Sequence, residues 1–477
     1  MGKTKKILIK YAMYGLHFFL ILGFFALVWQ FYYRPAATRG DFSTHTLVVA
    51  TSYTVFYYLL SKIYGSYRVG QYRISELIYS QALACTLSMF LVYAVASIQA
   101  IELINPIPML IILVVQFIVS FFWSIIVNRI YFSINKPKKT AIIYKDNDDL
   151  IEFRGIKHFA SRWDVVKQIH YPEVEVYGKP EGTEILKVEQ QDIDYLTKEI
   201  SDCEVVFISG INIILRNKIV QYCIETGIKC YFVPHTGDVI VAGAKHVQSF
   251  NFPLLHTERY SPNIFCRFNK RLFDVVVSFL AIILTSPIML VTAIAIKLED
   301  GGPVFYKQKR YTIDNSIFEV LKFRSMKVGS DKFGATAEND NRITQVGNII
   351  RAIRFDELPQ LFNILKGDMS VVGPRPEWIE LVEKYRKEMP AFDLRLQVKG
   401  GLTGYAQIYG RYNSTPKDKL KMDLMYINNV SFTNDIRIIL ATIRVLFSKE
   451  STEGFDDKRV SELRKESTLT APSDLHN

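Results

Sequence analysis

Four long apolar runs crowd the first third of the chain, at Tyr11–Phe31, Leu47–Tyr64, Leu77–Ile98 and Ile107–Phe132. Each approaches or exceeds the roughly 18–20 residues that a helix needs to cross the hydrocarbon core of a bilayer. Backbone in lipid has to satisfy its own hydrogen bonds, so these runs are expected to be spanning helices. Charges between them alternate as a multi-span unit requires. Lys3, Lys5, Lys6 and Lys10 precede the first run, Lys62, Arg68 and Arg73 lie between the second and third, and Lys136, Lys138 and Lys139 follow the fourth. The opposite side carries only Arg34, Arg39, Asp41 and Glu102, which places both ends of the unit in the cytoplasm. The first run has no small-residue cleavage site and reads as a span, not a signal peptide.

Composition fits a membrane portion joined to soluble domains. The 477 residues allow two or three domains, 13% are aromatic, and the mean hydropathy is positive. The net charge of +11 is explained by the positive-inside bias, and no nucleic-acid motif accompanies it, so a nucleic-acid partner is excluded. The five cysteines form no Cys-x-x-Cys pair, which speaks against a disulfide framework or a cysteine metal site.

A fifth apolar run, Leu272–Ile296, has Arg267, Lys270 and Arg271 before it and Lys297 after it. Basic residues at both ends suit a segment that enters and leaves on one side. Ser286–Pro287 interrupts its middle, where proline removes a helix hydrogen bond and a serine hydroxyl can satisfy the freed carbonyl. The expectation is a re-entrant helical hairpin over 270–297 with its break at Ser286 and Pro287; an ordinary kinked span is the alternative.

Between the membrane unit and this run the pattern is soluble α/β. Thr140–Tyr144, Val174–Tyr177, Val205–Ser209 and Lys229–Val233 read as short buried strands, with helices at Ile193–Ile200 and Ile214–Glu225. Such alternation implies a parallel, doubly wound sheet. The first strand runs into Lys145-Asp146-Asn147 and not into a glycine-rich turn, so a dinucleotide cofactor is not expected. A Rossmann-like scaffold, with dimerisation or regulation as candidate roles, is the reading here.

The chemistry is concentrated after the fifth run. Arg354–Glu377 reads RFDELPQLFNILKGDMSVVGPRPE: an adjacent acid pair Asp356–Glu357, a further acid Asp368, and a Gly-Pro-Arg-Pro-Glu turn. A carboxylate nucleophile, ligands for a hard metal ion and a fixed guanidinium are the parts needed to handle a phosphate ester. Taken alone, the acid pair reads first as a helix start, where acids are common, and the neighbouring motifs turn the reading to chemistry. Pro359 favours a first helical turn and pushes Leu358 away from helical angles, so the pair is expected just before a helix N-terminus. Arg375, between Pro374 and Pro376, has a restricted backbone and a planar fork suited to phosphate. Lys322 and Arg324 are further candidate phosphate contacts, or the solvated face of a strand. Asp368 and Glu377 are each a metal ligand or a turn residue. Gln407 and Arg411 are candidate nucleotide or sugar contacts, with turn chemistry as the alternative. No histidine lies between His256 and the polar tail, which removes a histidine general base from this half. Lys417–Phe447 is amphipathic and suits either the membrane surface or a core.

Gly301–Arg310 (GGPVFYKQKR), Glu319–Met326 (EVLKFRSM), the acid pair, the GPRPE turn and Gly400–Arg411 (GGLTGYAQIYGR) follow one another in this order behind the fifth run. Together they resemble the bacterial sugar transferases that attach a sugar phosphate to a polyprenyl phosphate, in the long multi-span form. Lys270–Asp274 (KRLFD) followed by Ser286–Pro287 matches the helix break of that family. The chain departs from it at Arg310-Tyr311-Thr312, where members often carry glycine.

The resemblance implies a membrane protein of α plus α/β class: a four-helix transmembrane unit (1–135), a Rossmann-like domain (136–262), a monotopic catalytic domain (263–450) and a polar tail (451–477). It implies transfer of a sugar 1-phosphate from a UDP-hexose to undecaprenyl phosphate at the cytoplasmic face of a bacterial plasma membrane, starting exopolysaccharide, capsule or another surface glycan. Asp356 would be the nucleophile of a covalent intermediate, Glu357 a ligand for Mg²⁺, and UMP the leaving group. Membrane lipid is then an obligatory partner, and a homo-oligomer stays open. Two rivals remain in view, a glycosyltransferase that releases nucleoside diphosphate and a non-enzymatic membrane scaffold.

Overall fold

The computed structural model describes all residues except 1–2, 34–41, 73, 146–161, 172–189, 250–251, 330–341, 411–414 and 447–477. The chain divides into two compact units that meet in sequence at Val233 and Pro234. In the first, the four apolar runs form helices α1 (Lys3–Val28, continued by a π-helical turn Trp29–Tyr33), α2 (Phe42–Tyr64), α3 (Ile74–Ala100) and α4 (Ile107–Ile134). All are long and apolar enough to cross a membrane.

Their polar residues are gathered inside. Gln116, Ser120 and Ser124 follow one another at helical spacing of four on α4 and are buried, while Leu110, Ile111, Val114, Ile118 and Phe122 of the same helix are exposed. His17 is fully buried, with Nδ1 3.1 Å from the Tyr67 hydroxyl and Nε2 3.3 Å from Ser120 Oγ. Gln116 Nε2 donates to the Tyr53 hydroxyl at 2.7 Å. Apolar side chains outside and hydrogen-bonded polar groups between helices is the arrangement a lipid surround favours.

The α/β portion holds a sheet of β1 (Lys138–Tyr144), β2 (Trp163–His170), β3 (Val205–Ile208) and β4 (Lys229–Phe232) in the order β2-β1-β3-β4, all parallel. Helices α5 (Gln190–Ile200) and α6 (Ile213–Thr226) pack on it through Leu196, Ile200, Leu215 and Ile219. Asn212 starts α6 by accepting from the Ile214 N–H at 2.7 Å. The expected strand Val174–Tyr177 lies outside the described residues. Strand β2 was not foreseen: it is a sheet edge whose Asp164, Lys167 and Gln168 dilute the apolar signal, and a register shift interrupts its pairing at Thr140 and Ala141.

The second unit begins with α7 (Thr236–Ala242) and a hairpin of β5 (Lys245–Ser249) and β6 (Phe252–His256). Val239 of α7 sits in the core of this unit, and its carbonyl accepts from Asn428 Nδ2. The second unit thus begins at Pro234, with α7 burying its apolar residue downstream. After the long helix α8 (Ile264–Asp300) come the hairpin β7 (Phe305–Tyr311)/β8 (Ile317–Phe323), α9 (Gln345–Ala352), a 3₁₀ turn Phe355–Glu357, α10 (Gln360–Lys366) and β9 (Ser370–Val372). Helix α11 (Ile379–Glu388), a 3₁₀ segment Pro390–Gln397, β10 (Gly401–Thr403, parallel to β9), α12 (Tyr405–Tyr409), α13 (Pro416–Ile427) and α14 (Phe432–Leu446) complete it. Leu420, Leu424 and Ile427 of α13 join Val320, Leu361, Ile364, Val371 and Phe392 in the core, so this part of the amphipathic stretch is core.

Helix α8 differs from the expected hairpin. It runs uninterrupted through Ser286–Pro287, with no turn separating two arms. Pro287 has no N–H to give the Ile283 carbonyl, and Ser286 Oγ donates to that carbonyl instead at 2.8 Å. Both ends of the helix are held by the second unit. Near the start, Lys270 Nζ bonds Asp435 at 2.6 Å, Arg271 donates to the carbonyls of Ile364 and Leu365 that end α10, and Asp274 accepts from Ser370 Oγ and the Val371 N–H at 3.0 Å. At the far end, Glu299 accepts from the Gln345 N–H at 2.6 Å and Asp300 pairs with Arg324. Between them the buried residues Asp274, Ser278, Met289, Thr292 and Ile296 fall on one helical face, and Leu280, Ile283, Leu284, Leu290 and Val291 lie exposed.

Candidate active site

The acid pair sits where the chain turns sharply from α9 into α10. Arg354 takes left-handed angles (φ +56°), which a non-glycine residue adopts only at a cost, and the 3₁₀ turn that follows presents Asp356 and Glu357. Leu358 keeps right-handed helical angles (φ −55°, ψ −37°) despite the proline behind it, contrary to the expectation that Pro359 pushes it away from them, and the turn leads straight into α10. The hydrogen bond from the Leu358 N–H to the Phe355 carbonyl holds it there.

Two cations converge on one oxygen of Glu357. Lys322 Nζ, from β8, lies 2.8 Å from Oε1, and Arg375 Nη2, from the proline turn, lies 2.7 Å from the same atom. Asp356 has only a 3.9 Å approach to Lys322. The side chains of Lys322, Asp356 and Glu357 are 15–17% exposed, whereas Arg375 keeps 35% of its surface open. Lys322, Asp356 and Glu357 are thus mostly buried, and Arg375 is the member of the cluster most open to solvent.

These surroundings drive the two acids apart. Burial raises the pKa of Asp356, and Lys322 offsets this only in part. Burial also works against the Glu357 charge, but Arg375 and Lys322 outweigh it and hold that carboxyl well below the usual range. Glu357 in turn raises Arg375, while burial lowers Lys322. Two adjacent acids separated in this way are suited to different roles.

Arg310 joins the cluster unforeseen. Its guanidinium is lowered to about 10 by burial and by the neighbouring Arg375, and it donates to the Pro376 carbonyl and to Gln308. Glu377 lies among Arg395, Lys419, Arg375 and Arg310, which hold its carboxyl down against the effect of burial. Arg395 and Asp423 form a buried pair at 2.8 Å, and burial pushes Asp423 up to about 6. Only the Gln-x-Arg spacing of Gln308–Arg310 hinted at Arg310; nothing in the sequence pointed to Arg395 or Asp423.

Other candidates are placed elsewhere. Arg324 follows the end of β8 at Phe323 and pairs with Asp300 at the end of α8, so it does not share the site of Lys322. Asp368 bonds Lys366 at 3.1 Å and lies beyond the far end of α10, about 10 Å of helix from Glu357. A single Mg²⁺ with bonds near 2.1 Å could not join them, which corrects the expectation of Asp368 as a partner ligand. The Gln407 amide is buried without a partner among the described residues and makes no bond to the acid pair. Arg411 lies outside the described residues. The GGLTG element serves close packing: a Cβ on Gly401 would come within 2.1 Å of the Gly373 nitrogen.

The donor set fits a magnesium ion held mainly by substrate. Mg²⁺ typically takes one or two carboxylates together with substrate phosphates. Both cations bond Glu357 Oε1, which leaves Oε2 as the oxygen for a metal. Among the described residues no cluster of three or more His, Cys, Asp or Glu forms a metal cage.

Comparison with known proteins decides the family. The family described as bacterial sugar transferase matches residues 265–449, which contain the whole cluster. An uncharacterised sugar transferase, EpsL, of Bacillus subtilis is 38% identical over 184 residues, 39% of this chain and 90% of that protein. The chain belongs to the bacterial sugar transferase family. It is also 42% identical over 192 residues to a UDP-N-acetylgalactosamine-undecaprenyl-phosphate N-acetylgalactosaminephosphotransferase of Aeromonas hydrophila, covering 39% of this chain and 45% of that protein. A UDP-glucose:undecaprenyl-phosphate glucose-1-phosphate transferase of Klebsiella pneumoniae is 45% identical over 181 residues, 36% of this chain and 39% of the relative. The match thus spans less than half the length of these last two.

Proposed function

We propose that this sugar transferase moves a sugar 1-phosphate from a UDP-hexose to undecaprenyl phosphate in two steps, and so initiates a lipid-linked surface glycan. The observation that carries the reading is the unequal treatment of the acid pair: Glu357 is pinned by two cations, and Asp356 is left nearly unbonded beside them.

An Asp356 oxygen attacks the sugar-bearing phosphorus. The new O–P bond forms as the bond to the bridging oxygen breaks, and that oxygen leaves with its electron pair on UMP. Undecaprenyl phosphate then attacks the same phosphorus, forms the lipid-linked diphosphate, and returns Asp356 as carboxylate. Splitting the transfer lets the nucleotide leave before the lipid phosphate attacks, and so divides one difficult displacement into two easier ones. Arg375 and Lys322 would bind phosphate oxygens, exchanging part of their bond to Glu357 for the substrate. Glu357 would hold Mg²⁺ through its free oxygen, and the ion when bound would draw charge from the phosphates.

Helix α8 supports a membrane seat. Asp274 and Ile296 lie on its docked face about 33 Å apart along the axis, while its other face is apolar and exposed. A full crossing would carry one end about 30 Å away through the bilayer, which is hard to reconcile with both ends docked on one unit. The helix would instead lie along the cytoplasmic leaflet with its apolar face in the lipid, while α1–α4 cross. The basic flanks of α1–α4 favour catalysis on the cytoplasmic face.

The test is product identity. Membranes carrying the protein would be incubated with Mg²⁺, undecaprenyl phosphate and a panel of labelled UDP-sugars. UMP as the released nucleotide supports the proposal, and UDP or the absence of any release overturns it.

A further inference from the structure

The turn that carries Arg375 is held from three directions. Three consecutive carbonyls, those of Pro374, Arg375 and Pro376, are each bonded by a donor from a different element. The Gly401 N–H of β10 reaches Pro374 O at 2.8 Å, Arg395 Nη2 of the 3₁₀ segment reaches Arg375 O at 2.7 Å, and Arg310 Nη1 of β7 reaches Pro376 O. Each of the two arginines is itself fixed. Arg395 is buried and donates Nε to Asp423 Oδ2 at 2.9 Å, with Nη2 paired to the same oxygen at 2.8 Å; Arg310 donates Nε and Nη2 to Gln308 Oε1 at 3.2 and 2.8 Å. Gly373, at the start of the turn, donates to Thr403 O at 2.9 Å.

Two flanking prolines restrict φ but leave the peptide planes on either side of Arg375 free to rotate together. Bonds to successive carbonyls remove that freedom. Burying cationic donors carries a desolvation cost, which their charge-assisted bonds to the carbonyls of the turn offset.

We propose that Arg310 and the Arg395–Asp423 pair are positioning residues that aim the Arg375 guanidinium at the Glu357 carboxylate and at the transferred phosphate. They touch no reacting atom. They act through the backbone of Arg375, and this role rests on the proposed phosphoglycosyl transfer. Misplacing a phosphate clamp by about 1 Å can cost on the order of 10²-fold in rate.

The informative variant is Arg395→Lys, which keeps a cation for Asp423 and loses the fork that reaches Arg375 O. The full-length protein in detergent would be assayed for UMP release from UDP-glucose or UDP-galactose with undecaprenyl phosphate. Arg395→Lys should lower kcat by about 10- to 100-fold. In a cycle with Arg375→Lys, the double variant should be no slower than Arg375→Lys alone, because the positioned group is already gone. Losses that multiply would show that Arg395 acts independently and would overturn the proposal. Amide exchange supplies a readout that needs no substrate: in both Arg395→Lys and Asp423→Asn, the Gly373 and Gly401 amides should exchange at least about tenfold faster, with β7–β8 unaffected. Unchanged exchange at these amides overturns the anchoring. Failure of every UDP-sugar with the wild-type protein would count against the proposed reaction, while the exchange experiment still decides the anchor.

Discussion

Arg375 Nη2 lies 2.7 Å from Glu357 Oε1, so the clamp of the proline turn is closed on the second acid of the pair and not the first. Lys322 completes the same contact at 2.8 Å. Under the proposed transfer this contact divides the labour between neighbours: Glu357 is held in place and its carboxyl kept low, and Asp356 is the acid left to react.

Replacement of each acid should therefore fail in a different way. Asp356→Asn removes the proposed nucleophile and should lower UMP release by roughly 10³-fold or more, without restoration by added Mg²⁺. Glu357→Gln keeps the nucleophile and should leave measurable activity that needs more Mg²⁺. Titration of initial rates against Mg²⁺ distinguishes them; equal behaviour of the two variants contradicts the assignment.

Arg375→Lys retains charge but loses the planar fork, and lysine is a poor substitute at such a site. Because Lys322 still pairs Glu357, the folded state should be little affected. We expect kcat/KM to fall by about 10- to 100-fold with the thermal midpoint within a few degrees of wild type. Steady-state kinetics beside thermal unfolding in detergent checks this.

The pH profile should have an acid limb set by one group. Attack requires Asp356 ionised, and burial raises its pKa above the ordinary value of 3.8. Activity should therefore rise with pH through that raised pKa, while Glu357, held low by Arg375 and Lys322, stays ionised across the limb. A slope of one in log kcat/KM against pH is expected. A slope of two would mean that both acids titrate together.

The docking of α8 depends on Asp274, which is buried and accepts from both Ser370 Oγ and the Val371 N–H. Asp274→Ala leaves those donors unpaired and should cost about 1–3 kcal/mol. Denaturant unfolding of the purified protein measures it, and loss of activity should follow loss of fold.

What could be read in advance follows from how far apart in sequence the partners lie. The four long apolar helices of the first unit and the strands β1, β3 and β4 were legible because their signals are local apolar runs. Asp356 and Glu357 are adjacent, and Arg375 is marked by its two prolines, so the contact of Arg375 with Glu357 joins residues that stand out in the sequence. Arg395 and Asp423 were not, because an arginine in a 3₁₀ segment and an aspartate on an amphipathic helix carry no local mark; only folding joins them, 28 residues apart. Arg324 misled because alternation along a strand was extended past the strand's end at Phe323. Asp368 misled because the α10 helix between it and Glu357 separates residues that look close on paper.

The covalent step is the centre of the account, and trapping it is the most direct measurement. Purified protein would be mixed with Mg²⁺ and a UDP-hexose labelled on the phosphate next to the sugar, without lipid acceptor, then quenched and digested. Label on the peptide containing Asp356, released on adding undecaprenyl phosphate and absent from Asp356→Asn, is the predicted result. UMP release that occurs only with the lipid present, with no labelled peptide at any time, would contradict it.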